Sequence, residues 1–510
     1  MTFGEQYRDL RNQVNHMIKT QKRTFYENKF SEITGDHKKT WQTISSLLNK
    51  SKKGYCEIKE LKVDGHCITD PKLICNSLNT HFATAGNFTE TFVANESHFS
   101  DYLRGNFPDF TLHPVTVSQV KNTIKKMRIS GPGVDDINIK LLKKGSDVIA
   151  PFLAELINQS FSSGKFPSSL KIAKVVPVFK GGEKDKVDNY RQISILNAIN
   201  KIFERLVYDQ LIKHASDFSI FTPQQFGFLK SMSTTDCILN FLKKLYDSRP
   251  ENKFSIGISI DLCKAFDSVN HNILLEKLKF YGVRNKSQEW FQSYLSGRQQ
   301  FTVCNNYESS LTDINVWLPQ GSIVGQLLFL FFINDIVHCS DLLHLYLFTD
   351  DGNALISGNT LENLRTRTQV ELEKIHKWLV ANKIKANLKK SHFLVFKGCK
   401  RLDHSLLIKF NGKSLSQKHC TKMLGVWISD NLKWDEHINV INGKISKING
   451  ILFKLSKIMN SKTLKLIYNS LIYPHLQYAN VVWGNAPEKL LKICVYLRKE
   501  RYVPSPIQNI

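Results

Sequence analysis

The chain has 510 residues, 42% of them apolar, enough for a sizeable core and too many for a disordered polar polymer. Its 70 Lys and Arg exceed 45 Asp and Glu for a net charge of +25, so the surface attracts polyanions, as nucleic-acid enzymes, ribosomal proteins and membrane-surface proteins do. Ten Cys are scattered without a close pair, which argues against a disulfide framework or zinc knuckle and predicts a reduced intracellular protein.

The opening residues Met1 to Arg8 carry no apolar run, so no secretory signal is expected. Tyr7, Leu10, Val14 and Ile18 then recur at helical spacing among many Lys and Arg, predicting basic amphipathic helices to about residue 50. Residues 51–112 read as irregular, with short strand-like pieces from Glu57 to Ile68. Phe254, Ile256, Ile258 and Ile260 alternate strictly, predicting a strand whose last residue, Asp261, falls on the opposite, polar face. Lys264 onward reads as a turn into a helix.

Pro319-Gln320-Gly321-Ser322 reads as a turn into a longer helix, where Pro stiffens the approach and Gly lets backbone come close to a ligand. The run Ile323–Ile333 is very apolar but too short for a membrane span, and it holds Gly325 and Gln326. A buried helix is expected there. Leu343–Phe348 reads as an apolar strand that ends at Asp350-Asp351 and turns back, with Gly352-Asn353 supporting a tight hairpin. From Trp434 to Trp483 the chain reads as mostly helical, with Ile441, Ile445, Ile448, Ile451, Leu452 and Leu455 on one side. Lys444, Lys447, Lys454 and Lys457 recur along it, consistent with a face that tracks a nucleic-acid backbone or with a solvated one.

Two carboxylates held at a hairpin tip can grip a divalent cation through oxygen. Asp135-Asp136 is another such pair, so adjacency alone does not choose Asp350 and Asp351. Asp261, at a strand end beside the hairpin, supplies a third carboxylate, and three can form a two-metal site for in-line phosphoryl displacement. Asp261 could instead cap the helix that follows. Lys180 and Arg191 flank a Gly-Gly-Glu-Lys loop that suits a hairpin folding over a triphosphate, although both could be ordinary surface charges.

Taken in order, these segments resemble the reverse transcriptases of non-LTR (LINE-like, jockey-type) retrotransposons. The resemblance rests on Lys174-Val-Val-Pro-Val-Phe-Lys180, Asn189-Tyr-Arg-Gln-Ile-Ser194, Gln225-Phe-Gly-Phe228 with Ser233-Thr-Thr-Asp236, and Asp261 to Asp267. It continues through Leu318-Pro-Gln-Gly-Ser322, Phe348-Thr-Asp-Asp351, Asn387-Leu-Lys-Lys-Ser391 and Met423-Leu-Gly-Val426. Matching segments reach from Gly131 to Gly484.

The resemblance implies an α/β (α+β) right-hand polymerase with fingers, palm and helical thumb. Residues 1–112 would form a basic, largely helical extension, 113–430 the reverse transcriptase domain of fingers and palm, and 431–510 the thumb and a tail. It implies RNA-directed DNA synthesis with two Mg²⁺ ions on Asp261, Asp350 and Asp351, an RNA template, a DNA primer or target, and dNTPs. Lys180, Arg191, Phe266, Gln320 and Gly321 would contact the nucleotide. The Phe266 ring would lie beneath the sugar, leaving no room for a 2′-hydroxyl. Lys390, or its neighbour Lys389, would be a general acid for departing pyrophosphate. An intracellular ribonucleoprotein, cytoplasmic or nuclear and with no membrane role, is expected; the oligomeric state is not legible.

Four residues depart from the family pattern: Gln192 for a usual Pro, Trp317 for a usual Gly, Gln326 for a usual Pro, and Thr349 for a small apolar residue. With no upstream endonuclease in this sequence, they suggest a truncated or decaying copy. The alternatives are a catalytically impaired nucleic-acid-binding remnant and an RNA-directed RNA polymerase, which shares the palm carboxylates.

Overall fold

The computed structural model describes residues 2–33, 35–47, 57–63, 65–86, 97–248, 253–314, 318–319, 321–397, 406–456 and 459–491. They fall in two compact units, one of Glu57–Val395 with Leu402–Gln417, the other of Met1–Cys56, Phe396–Arg401 and Lys418–Ile510. Among the described residues, no helix is long and apolar enough to cross a membrane.

The larger unit mixes helices with two five-stranded sheets. Their main strands are β1 (Ile172–Phe179), β2 (Tyr190–Ile195), β3 (Phe254–Asp261), β4 (Arg298–Cys304), β5 (His344–Phe348), β6 (Asp351–Gly358), β7 (His392–Phe396) and β8 (Ser416–Gln417). In the first sheet, β1 and β2 form an antiparallel hairpin with Val178 opposite Arg191, and β4 runs parallel to β1. The short strands Tyr307–Glu308 and Thr312–Ile314 complete it on β4. Gly181 and Gly182 give the hairpin loop its positive φ, 133° and 89°. The second sheet has the order β8-β7-β3-β6-β5, so the alternating strand β3 lies at its centre.

The apolar run becomes a helix, Ile323–Ile333, buried along nearly its whole length, with Gln326 exposed. Ser322 caps it by accepting from the Gly325 N–H at 2.8 Å. The fully buried Glu204 accepts from the Ile323 N–H at 2.6 Å and from the Tyr294 hydroxyl at 2.7 Å. Burial pushes its pKa up. Beyond the helix, the fully buried Lys277 ammonium donates to Asp335 Oδ1 at 2.5 Å and to the Phe332 carbonyl at 2.6 Å. The Trp378 indole N–H donates to the other Asp335 oxygen at 3.2 Å.

The region read as irregular contains a 14-residue helix, Pro71–Thr84, as well as strands Leu61–Val63 and His66–Ile68. Asp70 caps this helix, accepting from the Leu73 N–H at 2.8 Å, and Pro71 sits in its first turn, where a missing N–H costs nothing. Its inner face buries Ile74, Cys75, Leu78 and Phe82. Cys75 and Cys304, 229 residues apart in sequence, lie against each other with a Cα–Cα separation of 5.9 Å.

In the smaller unit, Phe3–Glu32 and His37–Leu47 are helices as expected. Tyr7, Leu10, Val14 and Ile18 lie exposed on the first. The helix Asp435–Ser456 buries Ile438, Ile441, Ile445, Leu452 and Leu455 and exposes Lys444, Lys447 and Lys454; Lys457 lies outside the described residues. Leu424 and Gly425, at φ 45° and 95°, make a two-residue turn of the primed kind between Met423 and Val426.

Candidate active site

Two of the three aspartates sit side by side where β3 ends and β6 begins, and Asp350 directly precedes the second. Asp261 closes β3 and stands directly opposite Asp351, the first residue of β6. Asp351 also pairs with Phe348 across the β5–β6 hairpin, so Thr349 and Asp350 are the two turn residues. The expected hairpin forms, but Gly352-Asn353 does not make its turn. Those residues continue the strand opposite Ile260 and Ser259. Thr349, the first residue of the turn, has a positive φ of 59°.

Asp261 is fixed by the Asn387–Ser391 segment. The Asp261 N–H donates to Ser391 Oγ at 3.1 Å, and the Asp261 carbonyl accepts from the Asn387 N–H at 2.7 Å. The same segment brings the Lys390 ammonium to 3.6 Å from Asp261 Oδ2. Of the two neighbouring lysines, Lys390 is thus the one beside the carboxylates. Asp351 is open to solvent at its edge, yet the enclosing strands desolvate its carboxyl. That desolvation, then the charges of Asp350 and Asp261, raise its pKa, and Lys390 opposes them.

A pKa raised by folding means the folded protein binds the proton more tightly than the unfolded chain. The stability it contributes is full below the ordinary carboxylate pKa and is lost as pH rises through the raised value. Asp351→Asn is therefore expected to raise the melting temperature of metal-free protein at neutral pH, with the gain shrinking in acid. A gain independent of pH in thermal melts would count against this electrostatic origin.

Lys180 and Arg191 both lie exposed at the β1–β2 hairpin. Burial first, then the charge of Arg191, lowers the Lys180 pKa; Lys264 and Lys390 add to that depression and Asp267 opposes it. Lys180, Arg191, Lys264 and Lys390 therefore share one local field with Asp267, and Lys390 alone of these is also placed beside Asp261. Phe266 is half-buried, stacked on Phe329 with ring centroids 4.5 Å apart, and its carbonyl accepts from the Leu318 N–H at 2.9 Å. Gly321 has φ 136°, and a Cβ there would lie 2.4 Å from the Ser194 carbonyl of β2. Close backbone approach is thus what this glycine permits, with β2 as the neighbour. Gln320 and Trp317 lie outside the described residues.

Sequence reasoning missed several neighbours. Lys264, at φ 47°, places its ammonium 3.8 Å from Asp188 and 3.5 Å from His81 Nε2. Burial, then Lys264, holds the His81 imidazole down at about 4, so it is neutral at physiological pH. The position of Lys264 between Asp261 and Phe266 was the available signal; His81 offered none. The departure Gln192 is buried and donates to Asp267 Oδ1 at 2.9 Å. Thr349 is also buried, and its hydroxyl donates to Asp350 Oδ1 at 2.7 Å.

As hard oxygen donors, three carboxylates suit Mg²⁺. A cation bound among them would relieve the charge that Asp350 and Asp261 impose on Asp351. Among the described residues, no three His, Cys, Asp or Glu side chains already converge as a ligand set.

Residues 180–428 match the family described as reverse transcriptase (RNA-dependent DNA polymerase). The chain thus contains a reverse transcriptase domain, and it is homologous to RNA-directed DNA polymerases of mobile elements. The RNA-directed DNA polymerase from mobile element jockey of Drosophila melanogaster is 24% identical over 471 residues, 89% of this chain and 49% of that protein. The probable RNA-directed DNA polymerase from transposon BS of the same species is 25% identical over 429 residues, 80% of this chain and 46% of that protein. The jockey polymerase of Drosophila funebris is 25% identical over 468 residues, 88% of this chain and 49% of that protein. The chain spans about half the length of the curated relatives it matches.

Proposed function

We propose that the chain extends a primer 3′-hydroxyl with dNTPs on an RNA template. The observation that carries this reading is the direct cross-strand pairing of Asp261 with Asp351, with Asp350 in the adjoining turn, inside a reverse transcriptase domain. In the right-hand arrangement the β1–β2 sheet belongs to the fingers and the β3–β5–β6 sheet to the palm. Residues 113–430 form these parts, 431–510 the thumb and tail, and 1–112 a basic extension.

Asp261, Asp350 and Asp351 would hold two Mg²⁺ ions. Bound Mg²⁺ supplies a lowered pKa for the attacking hydroxyl and neutralises charge on the α-phosphate and the leaving pyrophosphate. Arg191 and Lys180 neutralise the triphosphate, Arg191 through a forked contact. Lys390 stands beside Asp261, where its ammonium can give a proton to pyrophosphate. Gln320 and Gly321 line the nucleotide and template, and Phe266 excludes the 2′-hydroxyl.

Extension of a primed RNA with Mg²⁺ and dNTPs, run beside rNTPs, tests the reading. Faster extension with rNTPs would point to an RNA-directed RNA polymerase. Salt-sensitive binding of primed template without extension would point to a nucleic-acid-binding remnant. Phe266→Ala is expected to raise the rNTP-to-dNTP incorporation ratio by about tenfold or more, a loss of at least ~1.4 kcal/mol of discrimination. An unchanged ratio in single-nucleotide extension would remove Phe266 from this role.

A further inference from the structure

Thr349 presents a problem that the turn alone does not solve. A β-branched residue rarely adopts positive φ, and such strain persists only where the surroundings over-determine it. Here the surroundings come from the Gln224–Gly227 segment. The Leu347 N–H donates to the Gln224 carbonyl at 2.9 Å, and the Phe226 N–H donates to the Leu347 carbonyl at 2.8 Å. The segment therefore runs parallel along β5 up to the turn.

At its tip the Gln225 carboxamide, 1% exposed, joins the two backbones. Its Oε1 accepts from the Gly227 N–H at 2.8 Å and from the Thr349 N–H at 3.3 Å. Gly227 makes this approach possible. A Cβ there would lie 2.5 Å from the Thr349 nitrogen and 2.6 Å from Thr349 Cγ2. Gly227 has no positive φ, so the need is for space and not for handedness. The other end of the segment is tied to the core. The Thr222 N–H donates to Asn334 Oδ1 at 2.9 Å, and Asn334 Nδ2 donates to the Ile220 carbonyl at 2.8 Å. Asn334 is buried at the end of the Ile323–Ile333 helix.

We propose that Gln225 is a positioning residue for the candidate metal-binding turn. It holds Thr349 in its left-handed conformation, and the Thr349 hydroxyl in turn orients the Asp350 carboxylate, with Gly227 supplying the room. Gln225 touches no substrate in this scheme; it acts through Thr349. The proposal rests on the reading of Asp350 as a metal ligand.

The test compares the full chain with Gln225→Met, which keeps length and loses the acceptor, and Gln225→Glu, which keeps an acceptor oxygen. Steady-state extension of a primed RNA, Mn²⁺ titration followed by electron paramagnetic resonance, and thermal melting are measured for each. Gln225→Met is expected to lower kcat and weaken Mn²⁺ binding by about ten- to hundredfold, as loss of an outer-shell partner does. Assayed well below the melting temperature of either protein, the KM for dNTP should stay near the parent's. The melting temperature of Gln225→Met should fall, because two buried N–H groups lose their acceptor. Gln225→Glu should recover most of kcat. Parent-like kcat and Mn²⁺ affinity in Gln225→Met would overturn the proposal, as would losses that follow the melting temperature and are not recovered by Gln225→Glu. A parent that extends nothing counts against the polymerase reading, and the Mn²⁺ titration then decides the positioning role: unchanged affinity in Gln225→Met overturns it.

Discussion

Asp350→Asn is expected to reduce RNA-templated primer extension by about a thousandfold or more, equivalent to ~4 kcal/mol of lost transition-state stabilisation. The side chain keeps its size and one acceptor oxygen, so the Thr349 hydroxyl can still donate to it. What disappears is a negative charge at the site where cations are to be concentrated. Asp261 and Asp351 face each other across neighbouring strands, and Lys390 already lies 3.6 Å from Asp261. With one carboxylate neutralised, the remaining two share that ammonium and hold a second divalent ion poorly. Affinity for primed template should change little, because it comes from the distributed charge of a +25 chain. Extension rates and template binding by fluorescence anisotropy measure the two quantities separately. A loss under about tenfold in rate, or a parallel loss of template binding, would refute the assignment of Asp350.

Lys277→Met should carry the largest effect on stability, about 3–5 kcal/mol, because it removes one partner of an ion pair with no access to water. Both side chains of the Lys277–Asp335 pair are fully buried. Burial alone pushes the Lys277 pKa down, and Asp335 works against that shift. The Phe332 and Trp378 rings approach the ammonium at 4.9 Å and 5.1 Å from their centroids and add a cation–π contribution. Without Lys277, Asp335 keeps one donor, the Trp378 indole, and must protonate or stay charged in an apolar core. Adding Asp335→Leu to Lys277→Met should recover most of the loss, since apolar replacement of a whole buried pair is often neutral. Urea denaturation of the single and double variants checks this. A double variant less stable than Lys277→Met would assign the pair a net stabilising role.

The parts of this fold that the sequence disclosed are those set by local period. The alternation from Phe254 to Ile260 marks β3 to its last residue, because one face of that strand enters the core. The run from Ile323 to Ile333 announced a buried helix for the same reason. Hairpin register was harder. Gly352-Asn353 has strong turn chemistry, yet β6 must pair with both β3 and β5, and that pairing runs on through Gly352 to Asp351. The turn fell to Thr349-Asp350, where local propensity is worse and tertiary restraint is stronger. In Pro71–Thr84 the Asp-Pro start was readable, but the inner face is short and its partners lie on β4 and the strands after it, more than 200 residues away. Lys277 with Asp335, and Gln225 with Thr349, were invisible for a related reason. A polar residue discloses nothing about the partner that makes its burial tolerable.

Gln192 was noticed only as a departure, a glutamine where proline is usual. Its bond to Asp267 ties β2 to the residue that directly follows Phe266. Any hinging of the β1–β2 hairpin must either break that bond or drag the segment bearing the Phe266 ring along with it. On the proposed reading, triphosphate binding at the hairpin and the position of the Phe266 ring would then be coupled equilibria.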